Sequence, residues 1–89
     1  MPRKHIIASG WVQGVGFRYH TNHLAYAHQV TGWVRNLDSG DVELEVQGPQ
    51  KSIDDFLTQL EKGSMFIRID HLEIEDCEEL QESGFVVRY

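Results

Sequence analysis

The sequence predicts an α+β fold in which an antiparallel sheet is covered on one face by two helices. Three observations predict it. Segments in which apolar and polar residues alternate, the period of a half-buried strand, are interleaved with two segments whose apolar residues recur every three or four positions, the period of a helix. Two alternating segments are joined by Asp38-Ser39-Gly40, a short turn with a glycine free to take positive φ, which makes them an antiparallel hairpin. The chain has 89 residues, enough for one core and not for two.

A first strand is expected over His5 to Val12, with Ile6, Ala8, Gly10 and Val12 on one face and Ile7, Ser9 and Trp11 on the other. Gly14 and Gly16 end it. Phe17 to His28 reads as a helix with Phe17, Thr21, Leu24, Ala25 and His28 along its inner stripe. Thr31 to Leu37 and Asp41 to Gln47 are the hairpin strands, and Val42, Leu44 and Val46 alternate with Asp41, Glu43 and Glu45, so one face is buried and one wet. Gly48-Pro49 stops the second of them. Ser52 is expected to cap a second helix at its N-terminus, with Asp54 and Asp55 favouring the positive end of the dipole. Ile53, Phe56, Leu57 and Leu60 form its stripe, and Gly63 ends it. A fourth strand is expected over Phe66 to Glu75, with a β-bulge where the alternation slips between Ile69 and Leu72. Cys77 to Ser83 reads as an acidic loop and Phe85 to Tyr89 as a short last strand. The order β-α-β-β-α-β plus a terminal strand is the ferredoxin-like split βαβ sandwich, here one domain over residues 1–89. That arrangement hosts many activities and selects none.

Eight Lys and Arg against 14 Asp and Glu give a formal charge of −6, with acid concentrated between Glu73 and Glu82. A duplex-binding domain needs a basic stripe to displace counterions, so nucleic acid is not an expected partner. A small anion is different, because close to a site the nearest dipoles and a single Arg set the field. Cys77 is the only cysteine, which leaves no internal disulfide and no CxxC pair. The N-terminus lacks a long apolar signal core, and no apolar run reaches membrane-spanning length. A cytoplasmic monomer with no membrane partner is the resulting expectation.

The segment from Gly10 to Arg18 joins a strand to a helix and carries the chemistry. Small residues let the backbone turn tightly and approach a ligand. The first amides of a helix have no intrahelical acceptor and form a cradle for an anion. Arg18, in the first turn, offers a planar fork of donors suited to phosphate oxygens. By itself the same stretch reads more readily as a plain glycine turn beside a solvated arginine, since such turns are common. Its spacing fits neither a Walker loop nor a dinucleotide fingerprint.

Gly10-x-Val12-Gln13-Gly14-Val15-x-Phe17-Arg18 resembles the first signature of the acylphosphatase family, and the stretch from Gly32-Trp33-Val34-Arg35-Asn36 through Gly40-Asp41-Val42, followed by Gly48, resembles the second. The resemblance spans essentially the whole chain, down to Phe85-x-x-Arg88-Tyr89. It implies hydrolysis of a small acyl phosphate to a carboxylate and inorganic phosphate, with no metal, cofactor or covalent intermediate. The amides of Gln13, Gly14, Val15, Gly16, Phe17 and Arg18, with the Arg18 side chain, would hold the phosphate, and Asn36 would position the attacking water. The chain departs from the family pattern at His28, at Gln29 where glycine is usual, and at Ser64-Met65-Phe66.

Other features carry less. His20, His23 and His28 do not share one helical face, so a metal site is not expected. Cys77 sits among acids that give no reason for a reactive thiolate. Trp11 and Trp33 are placed on the helix-free face, to pack with neighbouring side chains, to touch an acyl group or simply to be partly exposed. An RNA-binding module of the same strand order would stack bases on a central strand, but Asp41 to Val46 is acidic and has no aromatic residue. A catalytically quiet anion-binding domain remains the other alternative.

Overall fold

In the computed structural model, which describes residues 1–89, the elements run β1 (Arg3–Trp11), α1 (Phe17–His28), β2 (Thr31–Asn36), β3 (Val42–Gln47), α2 (Gln50–Lys62), β4 (Arg68–Cys77) and β5 (Phe85–Val87). One sheet has the order β4-β1-β3-β2-β5. β1 pairs antiparallel with β3 and β4, and β2 antiparallel with β3. The short β5 lies parallel to β2, so the added strand makes the sheet mixed at that edge. The core is the helix-facing side of the sheet, Ile6, Ala8, Val34, Val42, Leu44 and Val46, against Phe17 and Ala25 of α1 and Ile53, Phe56 and Leu60 of α2. The two sequence periods meet there, because alternate strand residues and every third or fourth helix residue face the same layer.

Differences from the sequence reading lie at element ends. Ser52 is not the cap of α2. Pro49 is, at φ −56° and ψ 145°, and its carbonyl accepts from the Ile53 N–H at 3.1 Å. Proline holds φ ready for the helix and has no N–H to lose, so α2 begins earlier than the side-chain signal suggested. Asp54 and Asp55 therefore sit past the first turn, where they accept from Gln50 and Lys51 at the i,i+4 spacing (2.8 and 3.2 Å). β4 starts at Arg68 and runs to Cys77 because Ser64 and Ile67 exchange two backbone hydrogen bonds, 3.1 and 3.3 Å, closing a tight turn that leaves Met65 and Phe66 outside. The bulge falls where the alternation slips: Ser9 faces His71 and Gly10 faces Ile69, so Asp70 is the extra residue. Trp11 is exposed, and Trp33 lies under Arg88, 4.5 Å from its ring centre. No helix is long and apolar enough to cross a membrane.

The open face of the sheet is charged. Its most buried member is Arg3, whose side chain is fully enclosed. Its guanidinium donates to Glu45 (2.6 Å), to the Gln47 amide oxygen (3.1 Å) and to Glu82. Burial would lower its pKa, but Glu82 and Glu45 outweigh burial and raise it, so Arg3 stays charged. Further along the face, Glu43 lies 2.7 Å from the His5 ring nitrogen and 2.5 Å from the Arg35 guanidinium. Burial pushes its carboxyl up, yet those two partners together hold it below the ordinary value of 4.5.

Two consequences are measurable. A carboxyl more acidic folded than unfolded stabilises fully above about pH 4.5, and that contribution is lost as pH falls through the folded value. Glu43→Gln is expected to flatten the decline of urea-unfolding stability between about pH 5 and pH 3, and an unaltered decline would refute the assignment. Gln29 is the only non-glycine at positive φ (55°), closing α1 in the left-handed conformation. Gln29→Gly should raise stability by roughly 1 kcal/mol, read from the denaturant midpoint.

Candidate active site

The loop between β1 and α1 is fixed at both ends by the core, because Val12 and Phe17 are each 1% exposed. Between them Gly14 takes φ 73° and Gly16 φ 78°, the left-handed region that favours glycine. A Cβ on either would meet no atom within 4 Å, so the residues are required by the backbone path and not by space. Gly16 is the N-cap of α1 and offers no side chain to its amides. The first helical bond runs from His20 N–H to the Gly16 carbonyl at 3.0 Å. The amides of Phe17, Arg18 and Tyr19 therefore have no acceptor one turn back, and those of Gln13, Gly14, Val15 and Gly16 have no backbone partner. A run of free N–H groups at the positive end of a helix is an anion cradle.

Asn36 reaches the cradle through the hairpin. It is the exposed last residue of β2, paired with Val42. The turn beyond it is closed by Leu37 N–H to Asp41 carbonyl (2.9 Å) and Gly40 N–H to Leu37 carbonyl (3.2 Å). The Gln13 amide donates to those same two carbonyls, Leu37 at 2.7 Å and Asp41 at 2.8 Å. Gln13 thus staples the loop to the hairpin that presents Asn36.

Arg18 is held from another side. Its Nη1 donates to the Arg88 carbonyl at 2.9 Å, and its guanidinium lies 4.5 Å from the centre of the Tyr89 ring. The Tyr89 hydroxyl in turn lies 3.4 Å from that of Tyr19. Nε and Nη2 keep their N–H groups for an oxyanion pair in the plane of the fork. The stack limits the rotamers Arg18 samples, which lowers the entropy lost when it binds.

A cleft of about 140 Å³ is lined by Val12, Gly14, Gly16, Phe17, Arg18, Tyr19 and Asn36. Of the residues singled out in the sequence, the structure brings Gly14, Gly16, Phe17, Arg18 and Asn36 together there. The other two act elsewhere: Gln13 points its side chain at the hairpin, and Val15 lines a larger cavity on the other flank of the loop. Tyr19, Arg88 and Tyr89 were not foreseen as partners of Arg18. The ending Phe85-x-x-Arg88-Tyr89 was the available signal, but nothing local says what it packs on. His20, next in the helix, has its pKa lowered by burial and then by His23, and its Nε2 is buried without a partner. It does not line the cleft.

The sequence model of the family described as Acylphosphatase matches residues 4–87. A Geobacillus kaustophilus protein named acylphosphatase is 49% identical over 75 residues, 84% of this chain and 80% of that one. The crystal structure of acylphosphatase from Bacillus subtilis superposes with a TM-score of 0.94 at 33% identity, covering 100% of both chains. The structure of an acylphosphatase from Coxiella burnetii does so with a TM-score of 0.92 at 37% identity, covering 98% of this chain and 92% of that one.

If Gln13 staples loop to hairpin, Gln13→Ala removes two part-buried hydrogen bonds and should lower stability by about 1–2 kcal/mol. Amide exchange should rise in both the loop and the hairpin turn. Faster exchange in neither segment would show that the two are held independently.

Proposed function

We propose that this chain, which belongs to the acylphosphatase family, hydrolyses the carboxyl–phosphate bond of small acyl phosphates. One observation carries the reading. An unpartnered run of amides, an arginine fork and an exposed asparagine from a different element face one cleft of a size suited to a phosphoryl group.

The division of labour follows from the substrate. An acyl phosphate is a mixed anhydride with a stable carboxylate as leaving group, so little help is needed to break its bond. The protein must bring a water in line with that bond and stabilise charge on the three phosphoryl oxygens. The loop amides and Arg18 take those oxygens. Their donors are fixed before the substrate arrives, by Gln13 on one side and by Arg88 and Tyr89 on the other. Asn36 orients the water, which donates a hydrogen bond to the side-chain carbonyl oxygen of Asn36. The water oxygen bonds to phosphorus as the bond from phosphorus to the carboxylate oxygen breaks. The products are RCOO⁻ and H₂PO₄⁻, the phosphate keeping both protons of the water. With Arg18 and the amides supplying the positive charge, the reaction needs no metal, and the cleft is complete within one copy of the chain.

Release of phosphate from benzoyl phosphate is expected to proceed unchanged in excess EDTA. Loss of a positioned donor or of the water's partner typically costs 10²–10³-fold in rate, and Arg18→Ala and Asn36→Ala should each do so. Arg18→Lys retains the charge but not the fork, and should recover only part of the loss. Full turnover in both alanine variants would end the assignment of roles.

A further inference from the structure

The largest cavity, about 530 Å³, is not the phosphate cleft. It lies against the other flank of the same loop, walled by Trp11, Val15, Met65, Phe66, Ile67 and Ile69. Val15 is the hinge between the two spaces, because its neighbours Gly14 and Gly16 line the small cleft while Val15 lines the large one. The far wall is the tight turn at Ser64–Ile67, whose two reciprocal hydrogen bonds hold Met65 and Phe66 outward. Met65 is 89% exposed, Phe66 68% and Trp11 67%, three large apolar side chains around one groove. Apolar side chains gathered around one groove in this way are a mark of a ligand-binding surface.

We propose that this groove binds the acyl group of the substrate and selects for apolar, bulky acyl chains; the inference rests on the acylphosphatase reading above. The stereochemistry of the reaction points there. In an in-line displacement the attacking water and the leaving oxygen stand on opposite sides of phosphorus. The loop springs from β1, and the sheet order β4-β1-β3-β2-β5 puts β2 and β4 on opposite sides of that strand. Asn36 ends β2, so the water is held from the β2 flank. The carboxylate therefore departs toward β4, and the chain attached to it enters the groove formed where Arg68 and Ile69 of β4 face Trp11 and Gly10. The phosphoryl group occupies the small cleft, and the 530 Å³ space takes an acyl chain or aromatic ring larger than acetyl. Its lining also includes Glu61, Lys62 and Arg68, the last paired with Asp70 at 3.0 Å.

The test compares kcat/KM for acetyl phosphate, benzoyl phosphate and octanoyl phosphate in wild type, Met65→Ser and Phe66→Ser. Both positions are exposed, so the fold tolerates the changes, and circular dichroism with a denaturation midpoint checks this. Wild type should prefer octanoyl and benzoyl phosphate over acetyl phosphate. Each variant should lose about tenfold in kcat/KM toward octanoyl phosphate while staying within about twofold on acetyl phosphate, the selective loss expected when an apolar pocket surrenders contacts to a few methylenes. The loss should appear in KM and leave kcat on acetyl phosphate unaffected, because neither residue touches the phosphoryl group. Wild type active on all three substrates with variants that lose nothing, or lose equally on all, overturns the groove assignment alone. Wild type inert on all three overturns the acylphosphatase reading, and the groove assignment with it.

Discussion

Between β4 and β5 the chain must travel from one edge of the sheet to the other in residues 78–84, past β1, β3 and β2. Four inter-strand spacings amount to roughly 19 Å, about two thirds of the full reach of this short segment, so it crosses in a largely extended form. An extended strap gains nothing from its own backbone hydrogen bonds and must be fastened to what it crosses. Each strand it passes supplies a fastening. Arg3 of β1 donates to Glu82, Gln47 of β3 exchanges two hydrogen bonds with the Leu80 backbone (2.8 and 2.9 Å), and Thr31 of β2 donates to Glu82 at 3.1 Å. The buried Arg3 guanidinium is the centre of this knot, with Glu45 and Gln47 completing its shell. A buried ion pair of this kind contributes little net stability compared with an apolar core, but removing one partner is costly because the other charge is left stranded. Its value is positional. It puts β5 beside β2, and the residues just beyond β5 are those that hold Arg18.

The anion site is thus built from two directions that the chain joins only at its end. Gln13 draws the loop onto the β2–β3 hairpin, and Arg88 with Tyr89 sets the arginine fork. The protein as a whole carries −6, yet the ligand proposed for the cleft is an anion. No contradiction arises, because nine of the 14 acids lie on β3, β4 and the strap, three on α2 and only Asp38 and Asp41 in the hairpin turn, whereas the loop amides and Arg18 act over a few ångström. At that range local donors exceed a screened, distant net charge. Arg3 and Arg35 also pair with three of the open-face and strap acids, Glu45, Glu82 and Glu43, and offset part of that charge within the protein itself.

The loop has two faces with unlike chemistry. On one, the glycines expose bare amides, and on the other Val15 and Trp11 extend an apolar surface toward the turn after α2. The turn is also where the chain departs from the family pattern, with Met65 and Phe66 at its tip. The exchange of hydrogen bonds between Ser64 and Ile67 closes that turn just before β4 begins at Arg68, opposite the last residue of β1, and Met65 and Phe66 stand outside the pairing.

Sequence by itself determined the element order, the buried faces of β1, β3 and the two helices, the bulge near Asp70 and the place of the glycine loop proposed as an anion cradle. Each of these rests on short-range periodicity or on the conformational freedom of glycine, and both are local properties. Sequence missed the start of α2, because Ser52 offered a stronger side-chain signal than the backbone geometry of Pro49. It also could not see why Arg3 is buried. In the alternation Arg3 belongs with His5 and Ile7 on the wet face, and only the strap covers it. The same holds for the site. Gln13, Asn36, Arg18 and Tyr89 are 13, 36, 18 and 89 in the chain, and their meeting depends on sheet order and on the crossing that returns the C-terminus to β2. Which residues are candidates to bind an anion was legible in the chain; which of them face one cleft, and what lies on the far side of the loop, was decided by long-range packing.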